Sequence, residues 1–239
     1  MDPTVLIFDT TSEAATACGD RTLELLDQAR RERGVATLAV SGGSTPRLMF
    51  QSMATRTFDW KGIQIFQVDE RCVPADHPDS NFRMLRESLL SHISIGEAQV
   101  HRVNGELPPE DAARAYEADI CNVFGSEVPV FDVIQRGMGP DAHTASLFPG
   151  EPLIADRTGI AQSVDATRAG MKDALRYRVT LLRGVLEAAR HTLCLATGSE
   201  KAEALRKVLT EPYDPLRLPS QIASPDTVWY LDKAAAAKL

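Results

Sequence analysis

The chain has five histidines, and one of them, His143, stands among residues suited to acid–base chemistry. It lies in the stretch Gly137 to Gly150, GMGPDAHTASLFPG, with Asp141 just before it, Thr144 and Ser146 after it, and Pro140 and Pro149 stiffening the turn. An unperturbed imidazole is mostly uncharged at neutral pH and can take a proton from water. The plainer reading makes His143 a turn residue bonded to backbone, so its company has to decide. Directly ahead run Phe131, Asp132, Val133 and Ile134. A short apolar run that stops at Gly-x-Gly reads as a buried strand giving way to a backbone-dense turn, open to a ligand.

Gly137, Gly139 and Ala142 also fit the loose dinucleotide fingerprint G-x-G-x-x-G/A. That motif belongs in the first strand–turn–helix unit, with an acid about 20 positions on. Here it falls past the middle of the chain, Pro140 occupies the turn, and the nearest acid, Asp156, follows a proline-interrupted segment. A nucleotide role is set aside.

Three further places could hold an anion. Ser41, Gly42, Gly43, Ser44 and Thr45 form a small-residue turn running into a helix, whose amides and hydroxyls suit a phosphate monoester. The turn lacks the Gly-Lys-Ser/Thr ending of a Walker loop and the Gly-x-Ser-x-Gly frame of a nucleophile elbow. Arg71 follows Asp69 and Glu70 at a strand end, as a surface ion pair or a bidentate phosphate grip. Arg178 begins the Val179-Thr180 strand, and Lys201 sits in the first turn after Gly198, where a helix dipole disfavours a cation unless an anion balances it. Cys72, Asp76, His77 and Asp79 match no metal-site spacing, so no metal is expected; His92, His101 and His191 receive no role.

The elements that must position these groups alternate. Thr4 to Phe8 reads as a strand, and Thr10-x-x-Glu13 as a capping box opening a helix that ends near Gly34. Val35 to Val40 is a second strand, with Pro46 at the first position of the helix after it. Ile63 to Val68 is a third, delivering Asp69, Glu70 and Arg71 at its end, and Ser80 starts a helix carrying Asn81. A helix is predicted from Pro109 through Val123, a strand at Phe131, a short strand near Ile160 to Val164, and strand then helix over Tyr177 to Leu181 and Leu182 to Arg190. Thr192 to Ala196 is a strand ending in a second capping box, Thr197-x-x-Glu200, with a helix to about Leu209; Val228 to Leu231 and an alanine-rich terminal helix close the chain. Strands alternating with helices imply a three-layer, mostly parallel, Rossmann-like open sheet with helices on both faces. Ligands bind such sheets off the carboxyl ends of the strands, which gathers the Ser41, Asp69, His143 and Thr197 turns at one edge.

At 239 residues a single α/β domain is expected, and 44% hydrophobic with 25% charged residues is an ordinary globular composition. A net charge of -7 argues against a nucleic-acid or membrane surface but not against a small anionic substrate. The start, MDPTVLIFD, shows no secretory signal, and no segment reaches the roughly 20 apolar residues that cross a bilayer. Cys18, Cys72, Cys121 and Cys194 are scattered and read as reduced thiols of a cytoplasmic protein.

Taken together, SGGSTP at 41 to 46, VDERCVP at 68 to 74, DSN at 79 to 81, GMGPDAHTASLFPG at 137 to 150, RVT at 178 to 180 and GSEKA at 198 to 202 resemble the 6-phosphogluconolactonase family, in the family's order and over most of the chain. The resemblance implies the glucosamine-6-phosphate isomerase/lactonase type of α/β domain. It also implies hydrolysis of 6-phospho-D-glucono-1,5-lactone in the oxidative pentose phosphate pathway, with no cofactor or metal. By the same resemblance His143 would be the general base, Asp69 and Asp141 the carboxylates orienting imidazole, water or sugar hydroxyls, and Ser41, Gly42, Gly43, Ser44, Arg71, Arg178 and Lys201 a cradle for phosphate and sugar, with Asn81 shaping the pocket. The partner would be a small phosphorylated sugar lactone, and the protein a monomer or weak homo-oligomer.

The chain departs from the family pattern at three places. Ala142 replaces the usual glycine before the histidine, so it should avoid positive φ or carry strain. Gln135 and Arg136 replace an apolar pair, with Arg136 either another anion contact or an outward-snorkelling side chain. The prolines usual before Arg178 are missing. The amino-sugar phosphate deaminase/isomerase branch would want Tyr in place of Arg71 and Glu after the histidine turn, where the chain has Leu147-Phe148-Pro149. A non-catalytic sugar-phosphate-binding protein is the remaining alternative; a sensor of that kind would need a helix-turn-helix, and none is expected ahead of the strand at Thr4.

Overall fold

Alternation of side chains along the buried strands decides the layering. A computed structural model describes residues 4–125 and 128–239, so the first three residues of MDPTVLIFD lie outside it. Its strands are β1 (Thr4–Phe8), β2 (Ala36–Val40), β3 (Ile63–Gln67), β4 (Asp69–Arg71), β5 (Val100–His101), β6 (Val133–Arg136), β7 (Ala161–Asp165), β8 (Tyr177–Leu181), β9 (His191–Ala196) and β10 (Thr227–Asp232). The α-helices are α1 (Thr11–Arg33), α2 (Ser44–Ala54), α3 (Asn81–Ser88), α4 (Pro109–Phe124), α5 (Arg183–Ala188) and α6 (Ala202–Thr210).

Seven strands form one parallel sheet in the order β1-β10-β9-β6-β2-β3-β5. Leu38, Val40, Val133, Leu193 and Leu195 point to one face, where they meet Leu26 of α1, Phe50 of α2 and Leu85 of α3. Their neighbours point the other way: Ala39 and Ile134 pack with Ile120 of α4 and Leu186 of α5, and Cys194 and Ala196 with Leu205 of α6. The open parallel sheet covered on both faces is the expected architecture. None of the described helices is long and apolar enough to cross a membrane.

Several elements differ from the sequence reading. Asp69, Glu70 and Arg71 do not trail off β3; they form β4, antiparallel to β8, and β8 pairs antiparallel with β7 in a separate three-stranded sheet. Val68 is the joint, its N–H donating to Val40 O at 2.8 Å in the parallel sheet and its carbonyl accepting from Leu181 N at 2.9 Å in the small one. The first capping box forms, Glu13 N donating to Thr10 Oγ1 and Thr10 N to Glu13 Oε2. The second does not: a 3-10 turn over Ser199–Lys201 precedes α6, and Thr197 Oγ1 lies 2.9 Å from Thr45 Oγ1 instead. Helix α2 starts at Ser44, so Pro46 is its third residue, still within the first turn, where an N–H would have no helical acceptor and its absence costs nothing. Strand β6 begins at Val133 because Asp132 turns its carboxylate onto Thr37 N and Oγ1. The terminal alanines form turns, not a helix: Asp232 Oδ1 accepts from Ala235 N, and the few residues that remain cannot meet the cost of nucleation.

Candidate active site

Register brings the strand ends level. Val40 pairs with both Gln67 and Gln135, and Arg136 with Cys194, so the turns after β2, β3, β6 and β9 open onto one rim. There they enclose a cavity of about 270 Å³. Ser41, Gly42, Gly43 and Ser44 line one side, Arg71 and Asn81 the floor near α3, and His143, Arg178 and Lys201 the remainder, with Asp69 in the wall. Asp141 stands behind the histidine, outside the lining.

The turn around His143 is built for one ring orientation. His143 Nδ1 lies 2.6 Å from Asp141 Oδ1, which also accepts from His143 N at 3.2 Å. Opposite a carboxylate, Nδ1 carries the proton, and Nε2 is the ring nitrogen without a protein partner among the described residues. A Cβ on Gly139 would come within 2.1 Å of Nδ1 and 2.6 Å of Asp141 Oδ1, so only glycine lets this pair lie against the turn. Phe148 packs on the imidazole with ring centroids 4.7 Å apart. Burial pushes the Asp141 carboxyl upward, but the hydrogen bonds and charge of His143 outweigh it and hold the group below the usual range. Ala142 takes φ 70°, so of the two outcomes expected for it the strained one holds.

The second carboxylate, Asp69, is buried. Its Oδ2 accepts from Ser146 Oγ at 2.6 Å, and Arg178 Nη1 lies 3.8 Å away. Arg178 Nε donates to Leu175 O, and burial pulls its guanidinium downward against the opposing pull of Asp69. Arg71 makes no ion pair with its acidic neighbours: Nη1 donates to Asp79 O at 2.6 Å, while Nε is buried without a partner. Lys201 Nζ donates to Met138 O, and burial lowers its pKa against Glu200 and Asp141. Asn81 Nδ2 donates to Asp69 O at 2.9 Å, and its Oδ1 would lie 1.8 Å from a Cβ on Gly42, so the glycine turn and the asparagine interlock.

The structure thus brings all the named cavity residues together, with Asp141 one step back. Arg136 is neither an anion contact nor a snorkelling side chain: it is 1% exposed and donates to Thr144 Oγ1, Ser220 O and Ile222 O. Sequence reasoning gave no role to Ser146, which holds Asp69, or to Gln135, whose Oε1 accepts from Ser41 N and Oγ. Ser146 carried a signal, since it shares the histidine turn; Gln135 carried only its oddness at the end of a buried strand.

Residues 9–230 match the family described as glucosamine-6-phosphate isomerases/6-phosphogluconolactonase. The chain is 35% identical over 222 residues to a 6-phosphogluconolactonase of Synechocystis sp., covering 90% of this chain and 89% of that one. It is 36% identical over 226 residues to one of Nostoc sp., covering 92% and 91%. A solved 6-phosphogluconolactonase from Trypanosoma cruzi superposes with a TM-score of 0.88 at 27% identity, covering 99% of this chain and 97% of that one. Because the match runs from the residue after β1 into β10 and its relatives align over nearly their full lengths, the chain belongs to the glucosamine-6-phosphate isomerase/6-phosphogluconolactonase family.

Proposed function

We propose that the protein hydrolyses 6-phospho-D-glucono-1,5-lactone to 6-phospho-D-gluconate, the lactone-opening step of the oxidative pentose phosphate pathway, with His143 as general base. One observation carries this reading. An imidazole with Nδ1 committed to a carboxylate faces the same cavity as a glycine–serine turn at the start of α2 and three cations. Relatives named 6-phosphogluconolactonase support it.

The chemistry balances with these groups alone. Nε2 of His143 takes a proton from water as the water oxygen bonds to the lactone carbonyl carbon and the carbonyl electron pair moves onto its oxygen. When that tetrahedral adduct collapses, the bond from carbon to ring oxygen breaks, and the imidazolium returns its proton to the ring oxygen, leaving an acid and a free hydroxyl. Ser41, Gly42, Gly43, Ser44, Arg71, Arg178 and Lys201 cradle phosphate and sugar. Asn81 shapes that cradle, and Asp69 orients water or a sugar hydroxyl. An ester carbonyl is already electrophilic, so one base with firm positioning suffices. The isomerase reading would need a proton carrier after the histidine turn, where the ring of Phe148 packs instead.

Phosphogluconate release, corrected for spontaneous hydrolysis, should exceed background in the parent and fall to background in His143→Ala, with phosphogluconate binding retained. A fully active mutant would remove the histidine from the mechanism.

A further inference from the structure

Two features of the histidine turn are left over once substrate contacts are accounted for. Ala142 holds the left-handed conformation at φ 70°, which its Cβ disfavours. Close by, the guanidinium of Arg136 is fully buried with carbonyl and hydroxyl oxygens, not a carboxylate, as its partners. Burying a cation is costly unless its donors are well used, so these contacts need a reason.

They meet at one backbone segment. Ser220 N donates to Ala142 O at 2.9 Å, and Ser220 Oγ donates to His143 O at 3.1 Å, so a single serine grips two consecutive carbonyls of the turn. Arg136 joins both sides of that grip. Its Nη1 donates to Thr144 Oγ1 at 2.9 Å, and its Nη2 faces Ser220 O at 3.4 Å and Ile222 O. Nε alone lacks a partner. Neither Arg136 nor Ser220 is among the residues lining the cavity.

We propose that Arg136 and Ser220 are positioning residues, a buried clamp that holds the backbone from Ala142 to Thr144, with Ala142 at positive φ, and thereby aims His143. An alanine freed from this clamp would relax toward negative φ, rotating the Ala142 and His143 carbonyls and drawing the imidazole off Asp141. The two departures at 136 and 142 are therefore coupled: the arginine supplies the restraint that an alanine in a glycine position requires. The kinetic arm of the test rests on the lactonase reading; the spectroscopic arm does not.

The test uses the full chain with Arg136→Leu and Ser220→Ala, each alone and combined with Ala142→Gly. Arg136→Leu should lower kcat about tenfold or more with KM changed by less than about twofold, because the cradle is untouched, and Ser220→Ala should lower it roughly threefold. Adding Ala142→Gly should restore at least about threefold of the Arg136→Leu loss, since glycine takes the left-handed region freely. The downfield Nδ1–H proton resonance of His143 in NMR should weaken in each single clamp variant and recover in the double one. Strictly additive losses, a change in KM alone, or an unaltered resonance would overturn the clamp. Should Arg136→Leu fail to fold, Ser220→Ala, which removes one hydroxyl, carries the same comparison. If the parent hydrolyses no lactone, the reaction assignment falls, and the resonance alone judges the clamp.

Discussion

The bond between His143 Nδ1 and Asp141 fixes which ring nitrogen is free, and Asp141 keeps its charge because the histidine holds its pKa down. A carboxyl depressed in this way contributes fully above the ordinary carboxylate pKa, and that contribution is lost only as pH falls through the lower, folded value. The acid side of kcat/KM should therefore show no inflection from Asp141 at ordinary carboxylate pH; an inflection there that disappears when Asp141 is replaced would contradict the assignment. Asp141→Asn, which keeps the shape but not the charge, should lower kcat roughly 100-fold or more, read in the same background-corrected assay. Arg71→Ala should act on KM, because a phosphate grip held alike in ground and transition states is uniform binding; a selective fall in kcat would contradict that. At this scale the residues that line the cavity were readable, because the glycine–serine turn, the histidine turn and the cations beside them stand out by type and spacing. What Arg136 does was not, because its partners at Ser220 and Ile222 lie far along the chain and are mostly backbone carbonyls.

Among the elements, β4 and α3 are joined by one side chain. Buried Glu70 accepts from Gln67 Nε2, Arg71 N, Ser80 Oγ, Asn81 N and Phe82 N, so it caps α3 while fixing the residues on either side of the cavity floor. Burial pushes its pKa up against the hydrogen bonds that favour the charged form. Glu70→Gln would set an NH2 group against donors. With charge-assisted hydrogen bonds worth about 1.5–3 kcal/mol each, a loss of about 2–4 kcal/mol in urea unfolding is expected, with KM raised because Arg71 and Asn81 flank it. The helix ends were legible where a side chain caps its own turn, as at Thr10 and Ser80. They were not where tertiary partners compete: the Thr197 hydroxyl pairs with that of Thr45, and Asp132 takes the amide that would have lengthened β6.

For the whole molecule, the parallel sheet followed from strand–helix alternation, and the meeting of the turns followed from the rule that ligands sit off carboxyl ends. The small antiparallel sheet was not foreseeable in the same way. Asp69 finds Thr180 across a long stretch of chain, and nothing local in either segment says so. The packing that hides these strands also hides thiols. Cys18 and Cys194 are wholly buried, with burial raising both, and Cys72 is pushed up to about 11. In a thiol-reagent titration of the native protein at pH 8, Cys18 and Cys194 should stay unreacted and appear only on unfolding. Prompt labelling of either would mean that the sheet opens far more readily than this packing allows.

The junction at Val68 sets a rule for how this scaffold tolerates change. Side chains along a strand alternate, so Asp69 and Arg71 face the hollow while Glu70 turns toward α3. Adding or deleting one residue between Gln67 and Asp69 would invert all three, turning a lone acid to the cavity in place of Asp69 and Arg71 and burying an acid and an arginine under the helix. Variation in length is therefore forbidden at this seam, and it is unwelcome in the connection from β7 to β8 as well, where Ala166 packs against Phe148 and Leu175 O accepts from Arg178 Nε.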